Sequence, residues 1–378
     1  MAVTRSQSRF VLIVLLLACL PLMAAILPEE RFDALYHHYQ GGGVEITGPS
    51  LKLSKHVTEN TSVSGHYYVD SITSASIDVM TQASPYTEER TEYGLNADYL
   101  TGKNILSLGY TTSAENDYHA DTVSLGFSQD FFGDLTNLSM SFSRGWDRVS
   151  RSTDTTFNET IERRNYRLGI SQILTKNTIM TLAFDVTTDE GHLNNPYRRF
   201  RYLLPDDSTS LAFEKYPGTR TSTAFALRAL YYLPYRAAVG AEFRQFADTW
   251  DIEASHWQLL YRHPTKSGWL YEIKYRQYQQ TQASFYSDLF DNAIQQEYMA
   301  RDKELSTFNS QVLSIAVSYE FSGKNITWLD RASLNVAWDH MRFDYENFRD
   351  ARSDAAPGQE PLYGFSANVI QLYLSVWY

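Results

Sequence analysis

GFSANVIQLYLSVWY, residues 364–378, ends the chain, and its alternation decides the fold. Ile370, Leu372, Leu374, Val376 and Tyr378 occupy every second position, while Gln371, Tyr373, Ser375 and Trp377 lie between them. Successive side chains of a strand point to opposite faces, so the segment offers one apolar stripe and one mixed stripe. A soluble chain seldom ends on its most hydrophobic strand. A stripe that stops on a terminal aromatic resembles the closing strand of bacterial outer-membrane β-barrels, which the barrel-assembly machinery recognises. Ile370, Leu372, Leu374, Val376 and Tyr378 are therefore the expected assembly signal.

The rest of the chain supplies partners of similar length. Segments of roughly ten alternating residues, the length of a membrane-crossing strand, pair across short turns. The expected pairs are 44–56 with 62–80, 92–100 with 105–113, 122–130 with 138–148, and 163–174 with 178–187. Then come 222–232 with 237–246, 256–262 with 269–278, and 311–321 with 332–341. The connections between pairs are longer, above all 188–220, 279–307 and 342–362. Such sorting by parity matches barrels with short periplasmic turns and long extracellular loops, and a soluble sandwich has no reason to show it. Seven pairs and the terminal strand make an odd number. Residues 32–40 are the candidate for one more strand, with Gly41-Gly42-Gly43 as its tight outer turn. The expected fold is all-β: an antiparallel up-and-down transmembrane barrel of about sixteen strands.

The 378 residues have a net charge of −11 and are 14% aromatic. A mean hydropathy of −0.37 excludes a helical bundle in the membrane but not a barrel, in which only alternate strand residues meet lipid. The acidic balance opposes a nucleic-acid partner. Residues 1–25 have the basic start, apolar core and small residues of an export signal, removed on the way to the outer membrane of a Gram-negative cell. Ordinary removal is expected there, with lipidation at Cys19, the single cysteine, as the lesser reading. The domain plan is then a signal at 1–25, a lead-in and possible first strand at 26–43, and a barrel over 44–378.

Stripes such as Leu95-Ala97-Tyr99, Leu106-Leu108-Tyr110 and Leu334-Val336-Trp338 carry no charge and suit lipid. The opposite parity collects polar groups. The expected lumen-lining residues are Asp70, Ser74, Ser76, Asp78, Asp98, Asp130, Arg163, Arg167, Arg228, Glu242, Arg244, Arg262, Lys274, Arg276 and Asp339. Asp185, Glu272 and Glu320 share that parity. Early and final strands are mostly acidic and middle strands mostly basic, so acids would line one wall and bases the other. Such a field could orient a polar or zwitterionic solute. The blander reading is that opposite charges pair and fill the barrel.

No catalytic set stands out. His37-His38 with Asp33 suggests a metal only weakly, because adjacent strand residues point to opposite faces. Asp288, Asp291, Glu297, Asp302 and Glu304 lack the spacing of a calcium loop and read as solvated. No cofactor is expected.

Three stretches are similar to a family of bacterial proteins known as DUF3570: YHHYQGGGVEITGPSL (36–51), YYVDSITSASIDVMTQASPYTEERTEYGLNADY (67–99) and SQDFFGDLTNLSMSFSRGWD (128–147). The resemblance implies an outer-membrane barrel of no agreed activity, and a periplasmic lipoprotein or redox protein as partner. In the second stretch Asp70, Ser74, Ser76 and Asp78 share a parity, and 85–90 reads as the loop that follows. The functional expectation is a porin-like channel, or a scaffold for a periplasmic partner, and not an enzyme. The alternative is a lipid or peptide hydrolase at the extracellular rim.

Overall fold

The computed structural model describes residues 26–74, 80–81, 86–323 and 328–378. The proposed signal, Cys19, Ser76 and Asp78 lie outside the described residues. Sixteen antiparallel strands close into one barrel. They are β1 (Arg31–Gly41), β2 (Val44–Thr58), β3 (Thr61–Ser74), β4 (Tyr86–Thr101), β5 (Asn104–Ala114), β6 (Tyr118–Phe131), β7 (Thr136–Ser150), β8 (Asn158–Thr175) and β9 (Thr178–Gly191). After a separate hairpin of β10 (Arg199–Leu203) and β11 (Thr209–Phe213) come β12 (Thr219–Tyr232), β13 (Ala238–Asp248), β14 (Glu253–Pro264), β15 (Trp269–Gln280), β16 (Phe308–Ser322), β17 (Arg331–Arg349) and β18 (Leu362–Trp377). Closure comes from β1, which pairs with β2 on one side and β18 on the other, Tyr36 lying opposite both Pro49 and Leu372. A closed ladder leaves no edge strand, which is how a sheet can satisfy its backbone polar groups without water.

The apolar stripes join across strands because paired residues share a face. Leu108 lies opposite Leu125, Leu125 opposite Phe142, and Phe142 opposite Tyr166. On the far side Ile315, Trp338 and Ile370 continue the belt. Leu108, Leu125, Tyr166, Ile315 and Ile370 are all exposed in the isolated chain. This belt is the surface that lipid covers, and the opposite parity faces the lumen.

Loop lengths are sorted less strictly than expected. The long-loop end has three short connections: the expected glycine turn at 42–43, and two unexpected ones, at 115–117 and 249–252. At the first, Gly42 (φ 60°) and Gly43 (φ 80°) are both left-handed, the backbone of a two-residue hairpin turn that only residues tolerant of positive φ can form. The expected loop at 85–90 is also corrected. Glu88, Glu89 and Arg90 belong to β4, where they pair with Ile72, Ser71 and Asp70. Strand ends that rise beyond the bilayer carry charge freely, so their composition resembles that of a loop.

Segments 192–218, 281–307 and 350–361 fold back as a cap. Trp250, Phe285, Tyr286, Leu305, Phe348 and Tyr363 form its buried core. Phe246, Phe308, Phe343 and Phe365, from the lumen-facing parity of β13 and β16–β18, pack against that core. A second cluster of Phe200, Phe290 and Met299 attaches the β10–β11 hairpin to the 281–307 segment. Backbone bonds from Leu203 N–H to Phe290 O and from Phe290 N–H to Arg201 O hold the two together, and Lys215 and Met299 bond in both directions just beyond β11. The cap is a small soluble-type core seated on one side of the barrel mouth.

Candidate functional site

Beneath the cap is a cavity of about 400 Å³, lined by Arg163, Arg220, Arg244, Asp189, His256 and Tyr278 from the strands and by Tyr216 and Asp302 from the loops. Its floor continues into a series of arginines on the lumen face of β8–β15. Arg163 Nε donates to Asp147 Oδ2 at 2.8 Å, and Arg167 Nε donates to Asp185 Oδ1 at 2.5 Å. Arg244 reaches the second oxygen of Asp185 at 3.2 Å. Arg228 Nε donates to Glu242 at 2.6 Å, and His256 faces the other Glu242 oxygen at 3.1 Å. Arg262 Nε donates to Glu272 at 2.8 Å, with Lys274 at 3.9 Å from the same carboxylate. Arg163, Arg167, Arg228 and Arg262 stand successively nearer the short-turn ends of their strands. Together they form a staircase from the cap to the opposite mouth.

Exposure is unequal within each pair. The side chains of Arg163, Arg167, Arg228 and Arg262 are 50%, 58%, 56% and 50% exposed, whereas those of Asp147, Asp185, Glu242 and Glu272 are 4%, 8%, 15% and 19% exposed. The carboxylate is set into the wall and orients a guanidinium whose remaining N–H groups face the lumen. A guanidinium has five donors in a planar fork, so one carboxylate does not exhaust it.

The wall formed by β1–β6 differs. Asp70 accepts from Tyr68 at 2.7 Å and lies 2.8 Å from His37 Nε2, whose ring stacks on Tyr68. Asp98 accepts from Asn96 and Ser107, and Asp130 from Asn137. These carboxylates receive hydrogen bonds mainly from uncharged donors. The expected separation of acids from bases is only partial. The acidic wall has cations of its own, Arg31 at 2.8 Å from Asp33 and Arg90 at 2.8 Å from Glu92, and the basic wall brings its own acids, pair by pair. Arg276 lies on the basic wall and Asp339 on the lumen face of β17, opposite Ser314. Ser74 is buried at the end of β3. His37 and His38 do point to opposite faces, His37 to Asp70 and His38 toward Glu45 at 3.8 Å. Among the described residues no group of His, Cys, Asp and Glu is arranged to hold a metal.

Sequence reasoning missed the lock of the cap. Arg201 donates to both Asp288 and Glu360, with Nη2 at 3.1 Å from Glu360 Oε2. Arg301 Nη2 lies 3.0 Å from Asp288 Oδ1, and the Arg301 backbone N–H donates to Glu214 at 2.7 Å. Burial pushes the Glu360 carboxyl up, but hydrogen bonds from Arg201 outweigh it and hold the group below its ordinary value. Burial likewise raises the Tyr216 phenol well above its ordinary range, helped by the charge of Glu214. Asp288 and Asp302 are thus not solvated loop acids. Asp288 joins the buried network, and Asp302 caps the short 3₁₀ turn Lys303–Leu305 and pairs with Arg198.

The model of a family described as protein of unknown function, DUF3570, matches residues 76–330. The chain belongs to this family. Among curated proteins none matches the sequence. Of solved structures, a bacterial polysaccharide outer membrane secretin is similar, with a TM-score of 0.51 and 7% identity over 93% of this chain and 100% of that one. The similarity to CdiB from Acinetobacter baumannii has a TM-score of 0.48 at 9% identity, over 92% of this chain and 60% of that one. The outer membrane protein opdK from Pseudomonas aeruginosa gives 0.43 at 10% identity, over 93% and 100%. At such identities the first of these supports the outer-membrane barrel fold alone.

Proposed function

We propose that this member of the DUF3570 family is a selective channel for small polar solutes that carry a carboxylate or phosphate on one side and hydroxyl or ammonium donors on the other. One observation carries the reading: half-exposed arginines descend one wall of the lumen, each oriented by a more buried carboxylate, opposite a wall on which Asp70, Asp98 and Asp130 accept mainly from uncharged donors. An anionic group passes from one guanidinium to the next, since charge-assisted bonds to such a fork are strong yet shared among several rungs. The donor side of the solute meets Asp70, Asp98 and Asp130. The cavity under the cap, with Arg163, Arg220 and Arg244 together, is the entry site. Export to the outer membrane and assembly through the 370–378 stripe belong to the same reading.

The test is single-channel recording of the signal-free protein refolded into planar bilayers. Ohmic steps are expected, with reversal potentials that shift toward cations in Arg228→Gln/Arg262→Gln and toward anions in Asp70→Asn/Asp98→Asn. Silence from a protein shown to be folded and inserted overturns the channel and turns attention to a periplasmic partner at the short turns.

A further inference from the structure

The outside of the barrel carries one feature that neither the lumen nor the lipid belt explains. On β7 and β8 the belt ends with Phe142 opposite Tyr166, and the next outward-facing pair toward the long-loop end is Arg144 opposite Arg164. Like charges directly opposite on one face destabilise a sheet. A charge facing lipid is also costly except near the interface. The two guanidiniums share one carboxylate: Glu162 lies 2.8 Å from Arg144 Nη2 and 2.5 Å from Arg164 Nη2. Two cations against one anion leave the trio positive. Arg144 Nε is buried without a hydrogen-bond acceptor, and its guanidinium lies 4.9 Å over the ring of Trp146, an interfacial aromatic. Exposed Arg148, with no ion pair among the described residues, stands two residues farther along the same face.

We infer that Arg144 and Arg164 form a binding site on the outer wall for the phosphate of a membrane lipid whose headgroup is net anionic, in the leaflet at the long-loop end. The reason is placement. The pair sits immediately beyond the apolar belt, where an acyl chain lying on Phe142 and Tyr166 positions its own headgroup. A phosphate there meets the exposed edges of the Arg144 and Arg164 guanidiniums, 42% and 40% exposed, whose donors the single Glu162 carboxylate does not exhaust. Trp146 beside it packs against the headgroup as interfacial aromatics do. The next outward rung, Glu162 opposite Glu190, is acidic. The anion is therefore confined to the arginine rung and does not spread over the rim.

The test compares the refolded protein in phosphatidylcholine vesicles, in the same vesicles containing a bisphosphorylated acylated disaccharide, and in phosphatidylcholine with inorganic phosphate. Unfolding is followed by heat-dependent gel mobility, and retained lipid by native mass spectrometry after extraction. The phosphorylated glycolipid is expected to raise the unfolding temperature and to stay bound. Arg144→Gln/Arg164→Gln is expected to abolish the shift, with retention falling roughly tenfold per arginine removed, and to leave behaviour in phosphatidylcholine unchanged. Equal shifts in wild type and variant overturn the site. An equal shift from inorganic phosphate alone also overturns it, because the ligand is then a soluble anion. If the double variant fails to insert, Arg164→Gln alone carries the same test.

Discussion

The barrel wall and the cap are built to opposite rules. The wall is apolar outside and charged inside, and its arginines remain half exposed to the lumen. The cap has Phe290, Phe348, Ala283 and Ala300 at its centre, like any soluble core, and buries Arg201, Arg301 and Glu360 in a closed network. The same ion pair therefore has different worth in the two places. In the lumen it is screened and mainly orients a donor. In the cap it is desolvated, and loss of either partner leaves a buried charge unpaired.

Four measurements test this contrast. The largest effect is expected from Arg201→Ala, which leaves Glu360 and Asp288 buried and short of a cation. It should cost the cap about 3–5 kcal/mol, read as rapid limited proteolysis of 281–307 while the barrel keeps its heat-modifiable mobility. A barrel that unfolds with the cap would show that the two are one cooperative unit. Next comes Leu108→Arg on the lipid face, expected to cost roughly 2–4 kcal/mol in denaturant unfolding from vesicles. A cost near zero would place Leu108 outside the hydrocarbon.

Acid should act on the cap before the wall. Because the folded Glu360 carboxyl is held below its ordinary value of 4.5, its contribution is complete above that value and disappears as pH falls through the lowered one. Protease protection of the cap is expected to be flat from neutral pH to about 5 and to decline below the ordinary carboxylate range. In Glu360→Gln the acid-dependent part should be absent. The smallest stability change belongs to Arg228→Gln, within about 1 kcal/mol because this guanidinium is half exposed and His256 stays beside Glu242, although it should move the ion selectivity of the channel. A large loss of stability there would mean that the ladder is structural filling.

The wall was legible because the bilayer imposes a period of two on every crossing strand. Leu106-Leu108-Tyr110 could be assigned to lipid, and Arg228 with Glu242 to the lumen, from parity alone. Residues 32–40 could be added because closure requires an even number of strands. Strand ends were less legible. Glu88 to Arg90 sit beyond the bilayer, where nothing forbids charge, so a strand there reads as a loop. The cap was not legible at all. Arg201 and Glu360 are 159 residues apart in sequence, and the Asp288 that joins them stands in a stretch rich in Asp, Asn and Gln that looks solvated.

By itself the sequence determined the barrel, its inside and outside, its closing strand and the wall on which the arginines collect. Each follows from alternation against lipid, which is a local constraint. Folding alone sets the pairing of those arginines with recessed carboxylates, the gathering of three distant loops into one cap over the mouth, and the meeting of Arg144 and Arg164 on the lipid side. Those facts depend on which strands are neighbours and on their register, and hydrogen bonding between segments far apart in the chain sets both.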